Sequence, residues 1–381
     1  MNPRERVIAA LNHQEPDRVP VDLGGYQTGI MAIAYDRLKE LLGIATRTRI
    51  LEPAQQLAEP DEEILKYFHI DTRYIFPRSA LPWAPKEIPD GSSMYEQEWG
   101  HQKRIKRPTS YYYEFYDYPL AQADIKDLDR FPYWPNPDAP ERIEGLKEEI
   151  ENLHKNTDCA IATTLGSGVL EQSWYLRGME RFFMDVLENP KFVVRLMDKV
   201  LEVEEKLYDK FLSITGKYLD VVQIYGDLGT QNGPLVSPKF FREVIKPRDR
   251  ELIQFVKSKT KAKVMWHSCG SVYEFIPDLI EIGVNILNPV QVSAAKMDTK
   301  GLKKEFGNEI SFWGAIDTQR VLPFGKPQEV KEEVKRRIDD LAPGGGYILA
   351  SVHNIQADVP PENIITMYET AKEYGMQKCD K

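Results

Sequence analysis

His267 and Cys269 are the residues whose types and spacing most directly predict chemistry in this sequence. An imidazole nitrogen and a thiolate are preferred zinc ligands, and residues two positions apart on a strand share one face. Gly270 follows directly and permits a tight turn. Zinc would hold the thiol deprotonated at neutral pH. We therefore predict a metal site here, against the alternative of a buried histidine bonded to a carbonyl beside an inert cysteine.

A zinc site needs at least one further protein ligand from elsewhere in the chain. His353 is the first candidate and Glu171 the second, and Asp227 and Asp317 are also able to supply an oxygen. His353 could instead bind substrate or cap the last loop. Glu171 could simply be an acidic charge at a helix N-terminus.

Two of these carboxylates also allow chemistry without a metal. Asp227 and Asp317 could act as acid and base in a proton transfer. Asp227 could equally orient its loop by accepting hydrogen bonds from the backbone N–H groups that follow it. Both alternatives stay open at the level of sequence.

The elements that must position these side chains appear as apolar runs that end abruptly in Gly, Pro or polar residues. Between most runs lie segments with helical periodicity and caps; one has Ser237 as N-cap, and Pro247 should kink it. Strands that alternate with helices imply parallel strands joined by right-handed crossovers. The eight runs are 18–24, 72–77, 159–166, 220–227, 262–268, 284–290, 310–317 and 346–353.

Eight such units favour an α/β fold of the (β/α)8 TIM barrel type over an open doubly wound sheet, since no G-x-G-x-x-G motif follows the first strand. We predict one domain over residues 1–381. Residues 1–17 predict a short capping helix, and Gly375 is expected to close the last helix. Residues 79–140 do not fit the alternation, and we predict that they form a hairpin-like insertion after strand 2, serving as a lid or substrate wall.

The third to eighth predicted strands each end in polar side chains, at the end of a barrel where active sites lie. We predict catalytic roles for Asp227, Asp317 and His353. The residues predicted to bind substrate are Gln172, Tyr175, Arg177, Gln231, Asn288, Gln291, Gln319 and Asn354, and the predicted metal ligands are His267, Cys269, His353 and Glu171.

The composition excludes several classes of protein. A net charge of −9 weighs against nucleic-acid binding, and we interpret the basic segment 101–107 as a solvated hairpin face. Three widely spread cysteines (Cys159, Cys269 and Cys379) argue against a disulfide framework and for a reducing compartment. There is neither an 18-residue apolar run nor a signal peptide at Met1, so we expect a cytoplasmic protein that does not bind membranes.

Four segments of this sequence resemble the uroporphyrinogen decarboxylase superfamily. They are "NPRERVIAALNHQEPDRVPVDLGG" near the start, "HSCGSVYEFIPDLIEIGVNILNPVQ", "WGAIDTQRVLPFGKPQEVKEEV" and "HNIQADVPPENI". The resemblance runs over nearly the whole chain and implies a (β/α)8 barrel. It also implies one of two activities, since the superfamily contains cofactor-free decarboxylases of the haem pathway and zinc methyltransferases that exchange methyl groups with a corrinoid.

The decarboxylase branch is similar to this chain in some positions and differs in others. Its members have an arginine-rich segment after strand 1 that grips substrate carboxylates, but no arginine lies between Arg18 and Arg37 here. The decarboxylases also have an aspartate after strand 2, and the matching position here falls in the segment "IFPRS", which contains no aspartate. The methyltransferases resemble the chain at His267 and Cys269. Where they often have a cysteine as third ligand, seven residues before a proline, this chain has His353, as the decarboxylases do.

The resemblance therefore favours a zinc-assisted methyltransferase. It would move a methyl group between a small methylated substrate (a methoxylated aromatic, a methylamine or a thiol) and a corrinoid (cobalamin) carried by a partner protein. Asp227, Gln231, Asp317 and Asn354 would position the substrate. The alternatives are a decarboxylase-like lyase acting on a tetrapyrrole and a non-catalytic corrinoid or tetrapyrrole binder. A homodimer is an expectation from the superfamily.

Overall fold

The computed structural model describes residues 1–379, with side chains described as far as Met376, so the side chain of Cys379 lies outside the described residues. The strands are β1 (Ile50–Glu52), β2 (Leu57–Ala58), β3 (Thr72–Tyr74), β4 (Lys86–Glu87), β5 (Ser93–Glu96), β6 (Gln102–Ile105), β7 (Glu114–Asp117), β8 (Ala160–Ser167), β9 (Val221–Tyr225), β10 (Lys263–His267), β11 (Ile286–Asn288), β12 (Ser311–Ile316) and β13 (Tyr347–Ser351).

The helices follow the barrel strands as the sequence predicts. They are α1 (Pro3–Leu11), α2 (Ala32–Leu42), α3 (Glu62–Tyr67), α4 (Leu146–Asn156), α5 (Val169–Arg177), α6 (Met179–Glu188), α7 (Pro190–Thr215), α8 (Pro238–Phe240), α9 (Lys246–Lys259), α10 (Ile276–Ile282), α11 (Thr299–Phe306), α12 (Val321–Phe324), α13 (Pro327–Leu341) and α14 (Pro361–Cys379). No helix within residues 1–379 is both long and apolar enough to cross a membrane.

Seven parallel strands form one sheet in the order β3, β8, β9, β10, β11, β12 and β13. The predicted first strand closes this sheet into a barrel: Val21 pairs with Leu349 of β13, and its carbonyl accepts from the N–H of Asp71, just before β3. This segment forms a bridge and not a full strand, and Pro20 has no N–H to donate to a ladder. The (β/α)8 barrel prediction is confirmed.

Helix α1 closes the end of the barrel at which the strands begin. Val7, Ala10 and Leu11 pack against the inward-facing residues of the barrel strands, among them Trp313 and Met265. The N–H of Gly346 donates to the carbonyl of Ala10, which ties this helix to the start of β13. The capping helix predicted for residues 1–17 is present, and it leaves the opposite end of the barrel for the site.

The local helix signals are correct in one place and wrong in another. Ser237 caps its helix by accepting from the N–H of Phe240 at 3.1 Å, and a π-helical turn (Phe241–Ile245) precedes Pro247, where a kink is expected. Gly375 does not end α14, which continues to Cys379. This glycine instead allows close packing, since a Cβ there would lie 3.2 Å from the backbone nitrogen of Val19.

The insertion after the second barrel strand is larger than a hairpin. Strands β4 to β7 form a four-stranded antiparallel sheet in sequence order, which we call the inserted sheet. Two 3₁₀ helices, Ile125–Arg130 and Pro140–Arg142, lead from it back to α4. That residues 79–140 act as a lid within a single domain stays a prediction.

Candidate metal centre and cavity

Three side chains converge where the barrel strands end. One ligand atom each from His267, Cys269 and His353 lies within 4.8 Å of the others, and this is the one such group of three found in the described residues. The Sγ atom of Cys269 is 3.6 Å from Nε2 of His267. The rings of His267 and His353 meet edge to face, with centroids 5.6 Å apart. The structure thus joins the predicted pair with the first predicted candidate for a third ligand.

The turn after β10 delivers the thiol to this point because Gly270 takes a conformation that favours glycine. Its φ is +83°, and a Cβ there would lie 2.5 Å from the carbonyl carbon of Gly229. The loops after β9 and β10 therefore touch through their backbones. The N–H of Ser271 donates to the carbonyl of Thr230 across this contact at 2.7 Å.

Asn288 sets the orientation of the His267 ring. Its amide nitrogen donates to the carbonyl of Trp313 at 3.0 Å, so its Oδ1 faces Nδ1 of His267 at 2.5 Å. Nδ1 is then the protonated nitrogen, and the lone pair of Nε2 points toward Cys269. This is the support that a ligating histidine commonly receives from a second residue.

Two carboxylates brace the same loops. Asp227 accepts from the N–H of Cys269 at 2.7 Å, and Glu171 accepts from the N–H of Asp227 at 3.0 Å. The hydroxyl of Tyr175 donates to the other oxygen of Glu171. One interpretation of the sequence is that Asp227 orients its own loop by accepting from the N–H groups that follow Asp227. In the structure it accepts from the N–H of Cys269, so it orients the loop after β10.

Burial dominates the electrostatics of this cluster. It lowers the pKa of both His267 and His353 to about 4, so both imidazoles are neutral at pH 7, as metal ligands must be. Burial and the charges of Asp227 and Glu171 raise the pKa of the Cys269 thiol well above its usual value. Burial also raises the pKa of Glu171, and the charge of Asp227 adds to this effect. A cation would therefore be needed to hold Cys269 as thiolate.

The three side chains line a cavity of about 760 Å³ that opens at the carboxyl ends of the strands and under the inserted sheet. Its walls are aromatic and acidic. The aromatic residues are Tyr26, Trp83, Tyr95, Trp99, Tyr112, Tyr113, Tyr175, Tyr208 and Tyr225, and the acidic ones are Glu52, Glu96, Glu98, Glu171, Glu204 and Asp227. Lys103 is the one lysine or arginine among the described residues of the lining.

A comparison with known protein families shows to which of them this chain belongs. The model of the family described as "Uroporphyrinogen decarboxylase (URO-D)" matches residues 115–374. This chain belongs to that family. No sequence among the curated proteins matches it significantly.

Solved structures agree with this family's fold. A methyltransferase from Methanosarcina mazei superimposes with a TM-score of 0.65 at 18% identity, covering 98% of this chain and 99% of that chain. Native xylanase 10B from Thermotoga maritima reaches a TM-score of only 0.41 at 12% identity, covering 67% of this chain and 86% of that one. The first likeness shows that this URO-D chain shares its fold with a methyltransferase; the second is too weak to indicate more.

Seven of the residues predicted for catalysis, metal or substrate line the cavity. They are Glu171, Gln172, Tyr175, Asp227, His267, Cys269 and His353. Glu171 is not in the group of three ligand atoms, and its two oxygens accept from the hydroxyl of Tyr175 and the N–H of Asp227. Its predicted role as a metal ligand is therefore not supported by the geometry.

The remaining predicted residues do not line the cavity in the described structure and hold its framework instead. Arg177 pairs with Asp185 at 2.7 Å, and Asp317 accepts from the N–H of Gln319 at 2.7 Å. Gln291 accepts from the N–H of Gly270, and its amide nitrogen bonds Gln231. Asn354 accepts from the N–H of Gly29 at 2.7 Å. Asn288 supports His267. Direct substrate or acid–base contacts of these seven residues stay predictions.

Sequence reasoning misses most of the wall, above all the inserted sheet. The basic composition of residues 101–107 predicts a solvated hairpin face, but His101 and Lys103 line the cavity. A signal for this exists in the sequence: Lys103 and Ile105 alternate along β6 and therefore share a face, and His101 directly precedes the strand at the same spacing. Tyr26 and Tyr225 escape prediction because single aromatic residues next to strands do not differ from core residues in sequence.

Proposed function

We propose that this chain is a methyltransferase that moves a methyl group between a small methylated substrate and a corrinoid held by a separate protein, with zinc bound by His267, Cys269 and His353. The observation that supports this proposal is the convergence of these three donors on one point at the floor of the cavity. The fold shared with a methyltransferase is consistent with it.

The donor set fits zinc. Zinc–sulfur and zinc–nitrogen bonds of about 2.3 and 2.05 Å at a tetrahedral angle place the two ligand atoms about 3.6 Å apart. Sγ of Cys269 and Nε2 of His267 are separated by 3.6 Å. One thiol and two neutral imidazoles leave a fourth position free for substrate, as in catalytic zinc sites. The hydrogen bond from Nδ1 of His267 to Asn288 completes the expected outer support.

A bound zinc ion would supply Lewis acidity at the heteroatom that carries or receives the methyl group. The protein's own residues would do the rest. Asp227 holds the Cys269 backbone, and Glu171 keeps a proton at the cavity wall that can pass to a leaving heteroatom. The hydroxyl of Tyr175 donates to Glu171 and fixes its carboxyl group. The aromatic walls would hold an apolar group and exclude water from it.

The wall composition argues against the decarboxylase alternative. A substrate with many carboxylates needs arginines, and the described lining contains none. The arginines flanking the first barrel strand are used elsewhere: Arg18 binds Asp71, and Arg37 donates to the carbonyl of Ala357. The corrinoid protein would have to reach the open end of the barrel, where the cavity lies. The homodimer stays a prediction.

The decisive experiment combines metal analysis with methyl transfer. Protein purified without chelator under anaerobic conditions is expected to hold about one zinc ion per chain, and Cys269→Ser and His267→Ala are expected to hold about a tenth of that or less. Methyl transfer to free cob(I)alamin from methoxyarenes, methylamines, betaines and methylthiols should be lost with the metal.

Cys159→Ser is the matched control, because Cys159 is a buried thiol that contacts the carbonyl of Ile70, outside the cavity lining. It should keep both zinc and activity. A wild-type protein without stoichiometric zinc would overturn the metal assignment. Turnover of a tetrapyrrole that continues after metal removal would establish the lyase instead, and tight corrinoid binding without consumption of any methyl donor would establish a carrier.

A further inference from the structure

Lys103 is placed by the inserted sheet so that its ammonium group enters the cavity. It lies in the middle of β6, opposite Tyr95 on β5 and Phe115 on β7. Residues directly opposite each other on antiparallel strands project from the same face. Tyr95 lines the cavity together with Lys103, so this face of the sheet is turned toward the metal ligands.

The ammonium group has aromatic neighbours but no hydrogen bond. Nζ lies 4.5 Å from the centre of the Phe115 ring and 5.8 Å from that of Tyr175. No described residue accepts a hydrogen bond or forms an ion pair with it. Burial lowers the pKa of Lys103, although the charges of Glu52 and Glu171 oppose this shift. The positive charge is thus poorly compensated where it lies, and a bound anion would stabilise it.

The acidic residues near Lys103 are already occupied. Glu52 accepts from the backbone N–H groups of Ala54 and Gln55 at 2.8 and 2.6 Å. Glu171 accepts from Tyr175 and from the N–H of Asp227. Glu98, at the outer wall, pairs with Arg142. None of these interactions involves Lys103, which leaves its three N–H donors for a ligand.

The walls between Lys103 and the metal ligands suit a flat ring. Tyr26 stacks on Phe76 with ring centres 4.1 Å apart, and Tyr95 meets Tyr113 edge to face at 4.9 Å. Trp99 adds a further indole to the same lining. Rings held in this way present fixed faces to an aromatic ligand.

We propose that Lys103 is a specificity-determining residue that binds a carboxylate carried on the aromatic ring of the substrate. The carboxylate would accept from Nζ under the inserted sheet, the ring would lie between the aromatic walls, and the methylated group would face His267, Cys269 and His353. This inference rests on the proposed function for the reacting group, but carboxylate binding at Lys103 does not depend on methyl transfer.

The test compares Lys103→Met with Lys106→Met, which removes the same group from an exposed position on the same segment. Binding of benzoate to the full-length, zinc-loaded protein is measured by calorimetry, and methyl transfer to cob(I)alamin is measured with 3-methoxybenzoate and with methoxybenzene. In Lys103→Met, benzoate should bind about 10- to 100-fold more weakly, since charge-assisted hydrogen bonds are strong. The ratio of kcat/KM for 3-methoxybenzoate over methoxybenzene should fall by a similar factor.

Lys106→Met should leave both measurements unchanged, and Lys103→Arg should retain part of the preference for the carboxylate because it keeps the charge. Equal benzoate affinity in wild type and Lys103→Met would overturn the inference and indicate that benzoate binds elsewhere, for example at the metal. Loss of benzoate binding in Lys103→Met without methyl transfer from any donor would support the carboxylate site while contradicting the proposed function. Methyl transfer with no preference for the carboxylate would support the proposed function and contradict the carboxylate site at Lys103.

Discussion

The two walls of the cavity are built in different ways. The candidate metal ligands stand at the ends of parallel barrel strands, and two of them are held by neighbouring residues: Asn288 orients His267, and Asp227 fixes the backbone of Cys269. The opposite wall is a four-stranded antiparallel sheet whose outer strand β4 has only two residues, both exposed. Lys103 projects from this sheet with no hydrogen bond to any described residue.

Under the proposed function, this difference would separate two tasks. Metal ligation requires donor atoms fixed to within a few tenths of an ångström, and only a braced strand end supplies that precision. Selection of a substrate requires a surface that can change between relatives without disturbing the metal, and an inserted sheet provides one. The barrel end should therefore be intolerant of substitution, and the inserted sheet should change ligand preference while the protein remains stable.

Substitutions of glycines in turns should give the largest difference between the two walls. Gly270, at the barrel end, and Gly91, in the inserted sheet, have φ values of +83° and +77°, but a Cβ would have neighbouring atoms within 4 Å only at Gly270. Gly91→Ala should lower the free energy of unfolding by about 1 kcal/mol, the cost of a left-handed alanine. Gly270→Ala should lower it by about 3 kcal/mol or more, since backbone overlap with Gly229 is added, and should abolish zinc binding.

Urea denaturation and metal analysis measure both effects. Equal losses of stability in the two variants would show that the loops after β9 and β10 relax freely, and the barrel end would then not be the more rigid wall.

Asn288 tests whether the bracing behind the metal ligands matters. Asn288→Ala removes the acceptor for Nδ1 of His267, and zinc affinity is expected to fall about 10- to 100-fold. Asn363→Ala is the control, because Asn363 is equally buried but donates to the carbonyls of Leu322 and Gly325. Competition with a chromogenic chelator gives both affinities. An unchanged affinity in Asn288→Ala would mean that packing alone orients the imidazole.

Carboxyl groups of the two regions should respond to pH in opposite directions. Burial raises the pKa of Asp249, behind the barrel wall, to about 8, whereas hydrogen bonds from Ser92 lower the pKa of the exposed Asp90 in the inserted sheet. Asp249 binds its proton more tightly in the folded state. Its contribution to stability is therefore present below about pH 4 and is lost as the pH rises toward 8.

Asp249→Asn should remove this dependence. Between about pH 6 and pH 7, the free energy of unfolding of the variant should therefore fall by about 1 kcal/mol less than that of the wild type. Asp90→Asn should leave that interval unchanged, because the pKa of Asp90 lies below it. Unfolding curves at the two pH values provide the measurement. Identical slopes in wild type and Asp249→Asn would contradict the raised pKa.

The barrel and its candidate metal ligands follow from the sequence because their signals are local and repeated. Each parallel strand is a short apolar run, and parallel strands place their carboxyl ends at one edge, so His267, Cys269 and His353 could be brought together without coordinates. The count of eight strands holds even though the first one pairs only weakly, at Val21.

The contacts of long polar side chains could not be predicted in the same way. Asp317, Gln291 and Asn354 all follow barrel strands, yet their polar atoms bond to backbone N–H groups of nearby loops. Whether such a side chain turns inward depends on where loops cross, which spacing does not reveal. The basic composition around Lys103 predicts a solvent-facing side chain, although Lys103 alternates with the apolar Ile105 along β6 and so shares a face with it.

Helix α1 leaves the cavity open at one end of the barrel only. With Val7, Ala10 and Leu11 packed into the other end of the barrel, a small molecule would reach His267, Cys269 and His353 through the mouth beside the inserted sheet. Under the proposed function, a substrate that entered first would lie beneath the corrinoid protein that docked at that mouth afterwards. It would then be enclosed until this larger partner left, so the order of binding would also set the order of release.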